Sequence, residues 1–253
     1  MTGFRDHFAP QAADYAAFRP TYPPRFIARL AALAPGRALA WDVGTGSGQA
    51  AVLLADHFTR VQATDASARQ VEHAAPHDGI TYVVAPAECS GLGDASADLV
   101  TVAQALHWFA LEPFYAEVER VLRPGGVLAA WSYALPTVDP AVDRVLAWFY
   151  AERVGRYWPP ERRHVETGYA ELPFPYPALD VGEWEIDAGL TRAELAGYVG
   201  TWSALRHARE AEPRDPLADL TAALRGAWPD DGARRTVRWP VIVRAGRKGG
   251  ARR

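Results

Sequence analysis

The stretch Trp41-Asp42-Val43-Gly44-Thr45-Gly46-Ser47-Gly48-Gln49 constrains this chain more than any other. An apolar run leads into an acid, three glycines follow at alternate positions, and a helical pattern begins at once. A strand that turns directly into a helix against a ligand needs positive φ angles and space where Cβ atoms would stand, and glycine supplies both. Gly44 and Gly46 are expected to form that turn. Gly48 is expected to let the helix lie close to the strand. Asp65 closes the next apolar run, a position from which a carboxylate can accept hydrogen bonds from both hydroxyls of a ribose.

The surrounding pattern alternates. Ala38–Val43, Val61–Asp65, Ile80–Ala85, Asp98–Ala103 and Val127–Trp131 read as strands, and Gln49–Phe58 and Leu111–Leu122 as helices, the latter closed by Pro124-Gly125-Gly126. Ser67-Ala68-Arg69-Gln70 has the form of a capping box, as does Thr191-Arg192-Ala193-Glu194. Asp215-Pro216 reads as an N-cap followed by a first-turn proline. Strands alternating strictly with helices imply a parallel sheet covered on both faces. Val181–Asp187 and Thr236–Ala245 add two strands. The expected fold is α/β: a doubly wound, mostly parallel seven-stranded sheet with its last strand antiparallel and an inserted helical cap. Residues 1–253 are expected to form a single domain, with a helical leader over 1–36, a ligand-binding core over 37–133 and cap helices within 137–228. In the leader, Phe4, Phe8, Tyr15 and Phe18 recur at helix-like intervals. Pro24 then opens a second helix that buries Phe26, Ile27, Leu30 and Leu33 and ends before Gly36.

Composition narrows the partners. A net charge of −3 gives no drive toward nucleic acid or an anionic membrane. No apolar run approaches the ~20 residues that span a bilayer, and the first residues lack a signal-peptide core. Cys89 is the only cysteine, so neither an intrachain disulfide nor a cysteine zinc cluster can form. A cytoplasmic protein with no bound metal is expected. The basic tail from Ala245 to Arg253 reads as a frayed end, and the oligomeric state stays open.

The glycine spacing decides between two ligands. Three glycines at alternate positions fall one residue short of the pattern that cradles a dinucleotide pyrophosphate. An acid directly on the first strand would oppose a pyrophosphate at the helix N-terminus, yet it suits the ammonium of a methionine moiety. The favoured ligand is S-adenosylmethionine. An NAD-linked oxidoreductase is the alternative from another enzyme class, and a protein that binds the cofactor without turnover is a third reading.

Further segments follow in order: Ala63-Thr64-Asp65-Ala66-Ser67, Ala85-Pro86-Ala87-Glu88, Ala103-Gln104-Ala105-Leu106-His107-Trp108-Phe109 and Arg120-Val121-Leu122-Arg123-Pro124-Gly125-Gly126. With the glycine run they resemble the Rossmann-like S-adenosylmethionine-dependent methyltransferases. They are similar in particular to the small-molecule branch that includes trans-aconitate methyltransferase, which also has a leader like Tyr15-Ala16-Ala17-Phe18-Arg19-Pro20. The resemblance covers about residues 15–133 and is loose beyond.

It implies that the loop of Asp42, Gly44, Thr45 and Gly46 holds the methionine portion. It implies Asp65 at the ribose, Ala66 and Gln70 near the adenine, Ala87 and Glu88 at the edge of the adenine pocket, and Gln104 beneath the sulfonium. Arg19 would reach the cofactor carboxylate or an acidic substrate. The implied reaction is methyl transfer to a small-molecule acceptor, a carboxylate by analogy. His107, just past the fourth strand, is the candidate catalytic group, either as a proton acceptor or as a hydrogen-bonding partner. Trp108 and Trp202 are candidate walls of the acceptor pocket. A DNA amino-methyltransferase would need an Asn/Asp-Pro-Pro-aromatic tetrad where this chain has Gln104-Ala105-Leu106-His107. A cytosine-C5 enzyme would need a cysteine there, and Cys89 lies too early.

Overall fold

The computed structural model describes residues 18–250, so the leader aromatics Phe4, Phe8 and Tyr15 and the last three residues of the tail lie outside it. Seven strands form one sheet in the order β3-β2-β1-β4-β5-β7-β6. They are β1 (Leu39–Val43), β2 (Arg60–Asp65), β3 (Ile80–Val84), β4 (Ala97–Ala103), β5 (Leu122–Tyr133), β6 (Trp184–Leu190) and β7 (Arg235–Arg247). β1 to β5 pair in parallel. β7 runs antiparallel to both β5 and β6, which makes it the single reversed strand, as expected of the last strand.

The central strands carry the burial that a sheet covered on both faces demands. All five residues of β1 are buried, as are six of the seven in β4. Helix α1 (Pro24–Leu33) begins on a proline and buries Phe26, Ile27, Leu30 and Ala31. It stops at Ala34, before Gly36. Gly36 has another reason to lack a side chain: a Cβ there would stand 2.5 Å from Asp98 Oδ1. The carboxylate of Asp98 accepts from the backbone N–H groups of Ala38 and Leu39 and pairs with Arg123, which ties β1 to the next strand. Tyr22 and Phe26 each meet the buried Trp131 edge-on, with ring centroids 5.4 and 5.2 Å apart. Such pairs contribute roughly 0.5–1.5 kcal/mol each beyond their buried area.

Helices α2 (Gln49–Ala55) and α3 (Ala68–Glu72) follow β1 and β2, and α4 (Leu111–Val121) precedes β5. β5 begins five residues earlier than its apolar run suggests. Leu122 pairs with Ala97, the register then jumps so that Val127 pairs with Leu99, and the Pro124–Gly126 turn bulges out of the strand. β6 starts three residues later than expected, at Trp184.

Beyond β5, α5 (Pro140–Trp148) continues into a π-turn over Phe149–Arg153 and a 3-10 turn over Gly155–Tyr157, and the short α6 (Arg162–Glu166) follows. Three further helices, α7 (Arg192–Gly200), α8 (Ser203–Ala211) and α9 (Leu217–Ala227), lie between β6 and β7. The box at Thr191 and Glu194 forms with both reciprocal hydrogen bonds. Asp215 accepts from Leu217 N, as an N-terminal acceptor should. The box expected at Ser67 and Gln70 does not form: the Ser67 side chain makes no cap bond, and its N–H donates to Asp65 instead.

Candidate active site

Strand order reverses between β1 and β4, and in an open α/β sheet ligands bind beyond the carboxyl ends of the strands at that switch. The glycine turn lies there. Gly44, Gly46 and Gly48 all have positive φ, at 66°, 57° and 86°. A Cβ on Gly44 would stand 2.7 Å from that of Ala105 and 3.1 Å from the Phe109 ring. A Cβ on Gly48 would strike the Tyr82 hydroxyl. At Gly46 the only atom of the described residues within 4 Å would be Gln70 Oε1, at 3.9 Å. What keeps Gly48 free of a side chain is therefore the Tyr82 ring on β3 rather than the strand that leads into the turn. Gly44 also answers to protein packing, and the open space adjoins Gly46.

Asp42 sits behind this loop, fully buried. Thr45 Oγ1 donates to its Oδ2 at 2.6 Å and Thr101 Oγ1 to its Oδ1 at 2.7 Å. Thr101 faces Asp42 across the β1–β4 ladder. A hydroxyl between two valines in the middle of β4 is the sequence signal for Thr101, which the sequence reading leaves out. Burial pushes the Asp42 carboxyl up to about 6, against the lowering effect of the two hydroxyls. A raised folded-state pKa means the folded protein binds the proton more tightly than the unfolded chain does. The resulting stabilisation is present below an ordinary value of 3.8 and is lost as pH rises through about 6. It amounts to roughly 3 kcal/mol. Asp42→Asn removes the titration. The melting temperature of the variant relative to the native protein should rise by several degrees between pH 4.5 and 7.5. A difference that stays constant with pH would contradict a buried, titrating Asp42.

Asp65, at the tip of β2, accepts from Gly46 N and from Ser67 N, both at 2.9 Å. It thereby joins the glycine loop to the next turn. Ala85 N donates to Asp65 O and brings the segment after β3 alongside. Ala66 and Ala87 are partly exposed beside this tip, and Glu88 is exposed. Gln70 is buried, and its Oε1 has no hydrogen-bond partner among the described residues. Gln104, just past β4, adopts φ 59°, which is costly for a residue with a side chain. Its N–H donates to Trp131 O, while its buried Nε2 has no partner among the described residues. Gln70 Oε1 and Gln104 Nε2 thus keep unmet hydrogen-bonding capacity, and the space beside Gly46 is open among the described residues.

A cleft of ≈ 530 Å³ of empty space, part of it open to solvent, adjoins Gln104. It is lined by Arg19, His107, Trp108, Trp158, Arg162 and Trp202, among others. Arg19 donates to the Tyr133 hydroxyl at the end of β5 and to Thr201 O before α8. His107 Nδ1 lies 3.1 Å from the Tyr169 hydroxyl, and the ring leans on Trp108 with centroids 4.7 Å apart. Burial, reinforced by the positive charge of Arg162 and by His164, depresses the His107 pKa to about 3. The imidazole is neutral throughout the physiological range. Trp202 is buried and shares an aromatic cluster with Phe149, Tyr150, Trp158 and Tyr198.

The chain matches the methyltransferase domain family over residues 41–130, from the glycine strand into β5. It is 33% identical over 231 residues to a Dictyostelium discoideum protein named as a methyltransferase, covering 90% of this chain and 88% of that protein. The chain belongs to the S-adenosylmethionine-dependent methyltransferases. A solved structure from Anaeromyxobacter dehalogenans, described as a type II methyltransferase, superposes with a TM-score of 0.85 at 47% identity, over 91% of this chain and 98% of that one. A Haemonchus contortus phosphoethanolamine N-methyltransferase, solved with S-adenosylhomocysteine, shares the fold at a TM-score of 0.50 and 15% identity, over 98% of this chain and 61% of that one.

Family membership removes the NAD alternative, and the glycine spacing that pointed away from a pyrophosphate keeps its physical sense. The residues of this methyltransferase that sequence reasoning did not single out are Thr101, Tyr133, Tyr150, Arg162, Tyr169 and Tyr198. Arg162 and Tyr198 line the cleft, Tyr133, Tyr150 and Tyr169 hydrogen-bond residues that line it, and Thr101 holds Asp42 behind the glycine loop, contacts that only tertiary packing creates.

Proposed function

We propose that this methyltransferase passes the methyl group of S-adenosylmethionine to a small-molecule acceptor bearing a carboxylate, taken into the cleft beside Gln104. The observation that carries the proposal is the charge of that cleft: two arginines, Arg19 and Arg162, line it, and none of its described lining residues is acidic. On this reading Asp42, Gly44, Thr45 and Gly46 form the seat of the methionine portion. Asp65 holds the ribose, Ala66, Gln70, Ala87 and Glu88 surround the adenine, and the unpartnered amide of Gln104 lies beneath the sulfonium.

When bound, the cofactor supplies a methyl group on an already activated sulfonium. What remains for the protein is alignment and exclusion of water. Trp108 and Trp202 wall the acceptor, and Arg19 adds positive charge beside a carboxylate of the cofactor or the acceptor while it stays held by Tyr133 and Thr201. A carboxylate acceptor is already ionised near neutral pH, so no proton has to be removed. A neutral imidazole with a pKa of about 3 is a weak base but a competent hydrogen-bonding group, and that is the role assigned to His107.

Two measurements test this. Calorimetry should show binding of S-adenosylmethionine and none of NAD, and a panel of carboxylic acids should include one that releases S-adenosylhomocysteine. Silence across that panel would count against the carboxylate. With a turning-over acid, kcat at saturation should be flat from pH 5.5 to 9. An acid limb near pH 6.5 that disappears in His107→Asn would restore His107 as a base.

A further inference from the structure

We infer that Arg162 is the specificity-determining cation of the acceptor site, and that it selects a planar acid, aromatic or conjugated, whose carboxylate meets its guanidinium while the flat body lies among Trp108, Trp158 and Trp202. The inference rests on the reading of the cleft as the acceptor site.

The cap is rich in arginines, and most are already committed. Arg153 is held by Glu212 at 2.6 Å and Asp219 at 2.8 Å, Arg156 by Glu212 at 3.1 Å, and Arg163 by Glu171 at 2.7 Å. Arg162 differs. Its Nε donates to the Tyr150 hydroxyl at 2.8 Å, and neither terminal nitrogen has a hydrogen-bond or ion-pair partner among the described residues. Glu166 reaches it only through the Tyr150 hydroxyl, which donates to Glu166. Arg19, the other cation of the cleft, already spends both terminal nitrogens on Tyr133 and Thr201. Arg162 therefore presents the open fork, and a fork of parallel N–H groups matches a carboxylate bidentately.

Packing fixes where that fork points. The Arg162 Cζ lies 4.7 Å from the Trp158 ring centroid and 5.4 Å from that of Tyr150. Trp158 is itself anchored, its Nε1 donating to Tyr150 O at 3.1 Å, with its ring 5.5 Å from Trp202. A guanidinium stacked on fixed rings loses little freedom when it binds an anion. Three indoles, Trp108, Trp158 and Trp202, line the cleft beside it, with Trp108 against His107. A lining of aromatic side chains favours flat π systems, met edge-on or stacked, over branched or coiled aliphatic chains.

Tryptophan fluorescence tests the inference directly, because the indoles that report binding line the site. The protein, saturated with S-adenosylhomocysteine, is titrated with benzoate and trans-cinnamate, then with benzamide, cinnamamide and hexanoate. The two planar acids should bind at least about tenfold more tightly than their neutral amides and than hexanoate. Arg162→Gln should weaken the acids by about thirtyfold and leave the amides unchanged. Arg162→Lys, which keeps the charge but not the fork, should recover only part of the loss. Calorimetric affinity of both variants for S-adenosylhomocysteine should equal that of the native protein, which checks that the cap and core stay folded. Native affinity of Arg162→Gln for the acids, or amides binding as tightly as acids, would overturn the inference. Binding of S-adenosylhomocysteine with no binding of either acid would overturn it too, while leaving the cofactor site intact. A native protein that ignored S-adenosylhomocysteine would bring down the site assignment itself.

Discussion

Asp65→Ala is expected to weaken S-adenosylmethionine binding by about a hundredfold or more while lowering the melting temperature by only a few degrees. Two losses add. The first is the pair of hydrogen bonds that the carboxylate would accept from the ribose, each charge-assisted bond being worth roughly 1.5–3 kcal/mol. A hundredfold is about 2.7 kcal/mol, so even one such bond nearly accounts for it. The second loss is internal. Asp65 accepts from Gly46 N and Ser67 N, and without it the open end of the glycine loop is no longer tied to β2. Asp65→Asn separates the two: its amide oxygen can still accept, but without charge, so its affinity should fall between those of the native protein and the alanine variant. Calorimetry near pH 7.5 measures both variants. Native affinity in Asp65→Ala would remove Asp65 from the cofactor site, and a collapse of the fold would make its role structural.

The same carboxylate shows how far the sequence could be read. The strands and the turn were legible because each is local: apolar runs bounded by Gly, Pro or Asp at the period of a strand, and glycines that meet a steric need within a few residues. The capping box at Ser67 and Gln70 looked as sound as the one at Thr191 and Glu194, but only the second forms. At Thr191, Glu194 accepts from the N-cap N–H at 2.7 Å. At Ser67 that N–H is taken by Asp65, two residues upstream, and Gln70 is left buried with its Oε1 unpartnered. A capping pattern is silent about a competitor outside its four residues. The acceptor side was harder to read for a related reason. Residues 149–166 fold as single turns broken by Pro159 and Pro160, too short to leave a periodic trace. Arg162 gains its meaning from Tyr150 and Trp158 within that segment and from Trp202, which a helix beyond β6 delivers.

The glycine loop holds the last prediction, a comparison of one substitution at two sites. Alanine at Gly46 and alanine at Gly48 both force a side-chain residue into left-handed backbone, at about 1–2 kcal/mol. Their surroundings differ. At Gly46, among the described residues, the new methyl group meets only Gln70 Oε1 at 3.9 Å, so that backbone term should be nearly the whole effect on stability. At Gly48 it strikes the Tyr82 hydroxyl and lies 3.1 Å from two ring carbons. Tyr82 cannot easily retreat, because its hydroxyl donates to Ala75 O at 2.9 Å and its strand is paired to β2. Gly48→Ala should therefore cost about 3 kcal/mol or more, roughly 10 °C in melting temperature for a chain of this size, against about half of that for Gly46→Ala. Adding Tyr82→Phe removes the colliding oxygen and should return part of the loss in the Gly48→Ala background, while it destabilises the native background by breaking the bond to Ala75. That opposite sign is the signature of a steric contact between the two residues. Equal melting temperatures for the two alanine variants, or a Tyr82→Phe effect of the same sign in both backgrounds, would show that Gly48 is there for its backbone angle alone.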